Sequence, residues 1–70
     1  MEKAFADWFR KTREKKGLTQ LQAAQELALS GPTVSRWEGG TEPRSGHLLR
    51  ISKWGSIKAE KLLKMLALSA

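Results

Sequence analysis

The stretch GPTVSRWE, residues 31–38, holds the side chains best suited to recognition chemistry in this chain. Gly31-Pro32 opens it and Gly39-Gly40 closes it, so a helix here has about two turns. At helical spacing Val34 and Trp37 point one way, while Pro32, Thr33 and Arg36 point the other. One face anchors the helix, and the opposite face offers a guanidinium, a hydroxyl and a proline ring to a partner. Catalysis finds no comparable set. His47 is the only histidine and has neither a nearby cysteine nor a clustered set of acids, so no metal site and no nucleophile-base pair is assembled. Gly39-Gly40 is not a phosphate-binding loop motif. The expectation is a binding protein, not an enzyme, with no cofactor and no metal.

Composition narrows the partner. A chain of 70 residues is expected to form one domain, residues 1–70, near the size at which a single core is marginal. Cysteine is absent, so disulfides and thiolate metal sites are excluded. No signal peptide or membrane-spanning run is present, which points to a cytoplasmic protein without a membrane partner. The formal net charge of +6 and the isoelectric point near 10.2 favour a polyanion such as nucleic acid. The charge sits at the ends. Residues 1–17 carry six Lys/Arg against three acids and residues 46–70 five against one, whereas residues 18–45 carry two against three.

Five helices must position the short one. About Glu2 to Lys16, Phe5, Trp8, Phe9 and Thr12 share one arc, and Gly17 supplies the stop. Thr19 and Gln22 form a capping-box pair for a second helix, about Gln20 to Leu27. Ser30 caps the third, Gly31 to Glu38, in which Pro32 is tolerated because first-turn N–H groups lack helical partners. After the turn-rich TEPRS, Ser45 caps a fourth helix, about Gly46 to Trp54, burying Leu48, Leu49 and Ile51. Gly55-Ser56 interrupts the chain before a fifth, about Ile57 to Leu68. No segment alternates with period two, so the fold is expected to be all-α.

A short helix, the three-residue turn Ala28-Leu29-Ser30 and a second short helix have the layout of a helix-turn-helix, whose second helix enters the DNA major groove. The core of the unit spans about residues 19–39. Gly17 to Lys53 resembles the phage Cro and repressor (XRE-like) type of helix-turn-helix domain. The matching residues are Gly17-Leu18-Thr19-Gln20, Ala24, Leu29-Ser30, Val34-Ser35-Arg36-Trp37-Glu38, Pro43 and Leu48-Leu49, with Phe9 and Arg13 upstream. The resemblance covers about two thirds of the chain and implies a five-helix, lambda-repressor-like fold that binds double-stranded DNA. Three departures stand out. Ala28 occupies a turn position where the family often has Gly, Ala23 replaces a usual Leu, and Gly31 and Pro32 replace base-reading amides.

The resemblance therefore moves base reading onto Arg36, which matches a family base-contact position and can pair bidentately with guanine O6 and N7; holding a phosphate is its alternative role. Pro32 fits either a thymine methyl or a helix start. Thr33 and Ser35 can reach a base edge or a phosphate. Gly31 either lets the backbone approach DNA or simply starts the helix. Gln20 resembles a family glutamine that touches a phosphate, and Thr19, Ser30, Thr41 and Arg44 are further phosphate candidates. Arg13 and Glu38 match positions that form a partly buried ion pair.

On the fifth helix Ala59, Leu62, Leu63 and Leu66 share an arc expected to seal the core. Ile57, Met65 and Leu68 fall elsewhere among Lys58, Lys61 and Lys64, and are expected to form a homodimer interface, with Trp54 next to it. Two functions follow. One is a transcriptional repressor that binds a palindromic operator as a dimer by simple concentration control. The other is an antitoxin-type module that neutralises a toxin partner and binds DNA autoregulatorily.

Overall fold

The computed structural model describes residues 4–69, with side-chain packing described through Ala67. Five helices follow one another: α1 Ala4–Lys15, α2 Gln20–Glu26, α3 Gly31–Glu38, α4 Ser45–Gly55 and α5 Ala59–Ser69. No strand occurs among the described residues. Glu2, expected to open the first helix, lies outside them.

One apolar cluster draws on every helix: Phe5 and Phe9 of α1, Ala24 of α2, Val34 and Trp37 of α3, Ile51 of α4 and Leu62 of α5, with Leu27 following α2. Phe9 is its hub. Its ring stacks on Trp54 at 4.9 Å and meets Trp37 edge-on at 5.6 Å. Ala23 is fully buried, and Phe5 and Phe9 of α1 are the bulkiest fully buried side chains. Trp8 packs so closely on α4 that a Cβ at Gly55 would lie 2.5 Å from its ring, which leaves only glycine at that place.

The first four helices end in one way. A backbone N–H reaches back five residues in each case: Leu18 to Arg13 O, Leu29 to Ala24 O, Thr41 to Arg36 O and Ile57 to Ser52 O. Such a closure needs a left-handed residue just before the donor. Gly17, Ala28, Gly40 and Ser56 fill that place with φ of 73°, 57°, 112° and 52°. Ala28 thus keeps the backbone that a glycine would take. It carries the associated steric cost instead of changing the turn angle.

One local expectation holds and others are corrected. The Thr19–Gln22 capping box forms in both directions. Ser30 occupies the N-cap position of α3 without a side-chain cap bond, because its hydroxyl pairs with that of Thr33 at 2.8 Å. Arg44, not Ser45, is the N-cap of α4, which begins one residue early. Leu49 is 65% exposed, since the inward arc of α4 is taken by Leu48 and Ile51. Helix α5 starts at Ala59 because Ile57 is used to close α4. Its inward side is Leu62, Met65 and Leu66, while Ala59 and Leu63 face outward.

Candidate nucleic-acid interface

Helix α3 is fixed from behind. Val34 and Trp37 are buried in the core, and Glu38 is 6% exposed at its C-terminal end. Arg13 of α1 donates from Nε to Glu38 Oε2 at 2.7 Å and from Nη2 to Oε1 at 3.1 Å, while its Nη1 donates to Leu18 O. Arg10 donates to the Glu38 carbonyl at 3.2 Å, and Gln20 Nε2 donates to Glu38 Oε1 at 3.3 Å. One carboxylate thereby ties α3 to both preceding helices. Burial pushes the Glu38 carboxyl up, but the hydrogen bonds from Arg13 and Gln20 and the charges of Arg13 and Arg10 outweigh it and hold the group below the usual carboxylate range. The hydrogen bond from Arg13 to Glu38 likewise raises the Arg13 guanidinium against the opposing effect of burial.

The opposite side of α3 is open. Pro32, Ser35 and Arg36 are exposed, and Thr33 and Gly31 are partly so. A Cβ at Gly31 would meet only Leu21 Cδ1, at the ordinary contact distance of 3.7 Å, so packing does not demand glycine there. Thr33 and Arg36 share one shallow groove with Thr41, Glu42 and Arg44 of the following loop and with His47 of α4, and Trp37 contributes to its wall. Two guanidiniums and three hydrogen-bonding side chains converge on that groove, along with one carboxylate.

The remaining expected residues divide. Thr19 and Ser30 lie exposed at the N-caps of α2 and α3. Gln20 begins α2, but its amide nitrogen is turned inward onto Glu38. Trp54 sits at the core edge, its ring on Phe9 and its Nε1 donating to Glu26 at 3.0 Å. Met65 packs on the core and Ile57 is half-buried, while the side chain of Leu68 lies outside the described residues. Among the groove residues, sequence reading missed Glu42 and also His47. Its neighbours in the chain are not acids or cysteines, and its proximity to Arg36 arises only when α4 folds back on α3.

The architecture and the open face of α3 define a helix-turn-helix DNA-binding domain. A helix-turn-helix family model matches residues 9–53, well over half of the chain, and the chain belongs to this Cro/repressor-type (XRE) family of DNA-binding transcription regulators. The family is a regulatory one, typically non-enzymatic. The chain has no significant match among curated proteins or solved structures. Among the described residues, no helix is long and apolar enough to cross a membrane, and no cluster of His, Cys, Asp or Glu suits a metal ion.

Proposed function

We propose that the chain is a sequence-specific transcriptional repressor that binds a palindromic operator as a homodimer and blocks transcription by occupying it. The observation that carries this reading is the two-sidedness of α3: Val34, Trp37 and Glu38 are buried, while Pro32, Ser35 and Arg36 are presented outward. Arg36 is assigned to a guanine edge, with Pro32, Thr33, Ser35 and the Gly31 backbone lying along the same base pairs. Thr19, Ser30, Thr41 and Arg44 flank that face and are assigned to phosphates, which position the helix without reading sequence, while Gln20, turned inward onto Glu38, is left with its first-turn backbone N–H for such a contact.

The dimer is assigned to the outer side of α5. Leu63 is 53% exposed there and Ile57 is partly exposed two residues before the helix begins. Pairing two copies would cover this apolar surface and set two recognition helices about one helical turn apart on the duplex. Selection from random duplexes followed by footprinting tests the reading. A palindromic motif protected on one duplex face is expected, and no enrichment over random DNA overturns it. Sedimentation of L63E tests the interface, with a folded monomer expected and an intact dimer placing it elsewhere.

A further inference from the structure

We propose that His47 is a proton-linked DNA contact, engaging the phosphate backbone as an imidazolium so that duplex binding takes up a proton. The inference rests on the DNA-binding reading and adds to it a residue and a pH dependence.

Placement comes first. His47 lies in the groove with Arg36, Thr41 and Arg44, and its ring centroid is 5.6 Å from that of Trp37, at an interplanar angle of 58°. Trp37 is buried in the core, so it backs the imidazole at the groove wall. His47 is also the third residue of α4, within the first turn. His47 shares this groove with Thr41 and Arg44, residues assigned above to phosphates, so a phosphate held there enters the groove that the ring also lines.

The charge balance then sets the sign. The groups facing the ring are Arg36 from α3, Arg44 and Glu42 from the loop, and the Trp37 ring. Arg36, Arg44 and the α4 N-terminus carry positive charge there and Glu42 negative charge, so the groove as a whole is positive without DNA. A phosphate held at Arg44 offsets that positive charge and adds its own attraction, so the duplex favours the imidazolium. Histidine is the side chain whose charge a change in local field switches between about pH 5 and 8. The chain has one histidine and no cysteine, so no second side chain ordinarily titrates in that range.

Fluorescence anisotropy with a short mixed-sequence duplex at low, constant ionic strength tests this across about pH 5.5 to 8.5. Wild-type affinity is expected to fall as pH rises, with a slope approaching about tenfold per pH unit for one linked proton per protomer. H47Q is expected to bind with the weak affinity of the wild type at high pH and to show no such slope. H47K, a fixed cation, is expected to bind tightly at every pH. A flat wild-type profile, or H47Q retaining the wild-type slope, overturns the inference while leaving DNA binding in place. Absence of saturable duplex binding by the wild type at every pH overturns the DNA reading itself. Circular dichroism melting of each variant confirms folding, and H47K with the wild-type profile carries the test should H47Q unfold.

Discussion

Arg13 and Glu38, 25 residues apart in sequence, meet through two hydrogen bonds of 2.7 and 3.1 Å that hold the recognition helix against the first helix. Removing one partner leaves the other short of compensation, and the two losses are unequal. The Glu38 side chain is 4% exposed and the Arg13 side chain 14%, and Arg13 keeps the Leu18 carbonyl at 2.8 Å. R13A is therefore expected to destabilise by about 3 kcal/mol and E38A by less. Urea unfolding of both single variants checks the order, and equal wild-type midpoints in the two would remove the pair from any structural role.

Acid is expected to loosen the same joint. The folded-state pKa of Glu38 is depressed, so its stabilisation is fully present above the ordinary Glu value near ~4.3 and is lost as pH falls through the folded-state value. Thermal melting of the wild type should decline below about pH 4.5 more steeply than that of E38Q, which has no carboxyl to protonate there. Parallel pH profiles for the two proteins would assign the acid sensitivity to other carboxylates.

Ala28 turns the chain between α2 and α3 at φ 57°, a conformation with a steric cost of roughly 1–2 kcal/mol for a residue bearing Cβ. Glycine removes that cost but widens the unfolded ensemble. The balance predicts that A28G raises stability by about 0.5–1 kcal/mol, read as a higher urea midpoint. A β-branched substitution, A28V, should lower it.

Arg36 is exposed on α3, away from the core. R36A is expected to melt like the wild type while losing about 1–3 kcal/mol on the selected DNA site, with relaxed preference at one base pair per half-site. Equal losses on selected and random duplexes would reassign the guanidinium to a phosphate.

Gly31 separates two roles that the chain alone left open. Since a Cβ there meets only Leu21 at 3.7 Å, G31A should leave stability unchanged or slightly raised. A fall in DNA affinity without a fall in melting temperature identifies close backbone approach to the duplex; unchanged affinity identifies a simple helix start.

Local signals made much of the fold legible. Gly17, the Thr19–Gln22 box, and Pro32 with Gly39-Gly40 each act through neighbours a few residues away, and the structure ends α1 at Gly17, opens α2 at the box and bounds α3 between Pro32 and Gly39-Gly40. The outward face of α3 followed equally from helical spacing, because the inward position of Val34 and Trp37 compels Arg36 to face away. Contacts between distant segments were not legible in that way. Leu63 and Met65 are both apolar, and only the docking of α5 on the core decides that Met65 turns in while Leu63 stays out. The inward turn of Gln20 onto Glu38, 18 residues away, and the presence of His47 beside Arg36 depend likewise on how helices pack. Helix ends are set by backbone hydrogen bonds within a few residues, so the sequence by itself determined them closely. Which side of α4 and α5 is buried, and which side chains share the groove, is set by core volumes and interhelical angles, which only the tertiary structure decided.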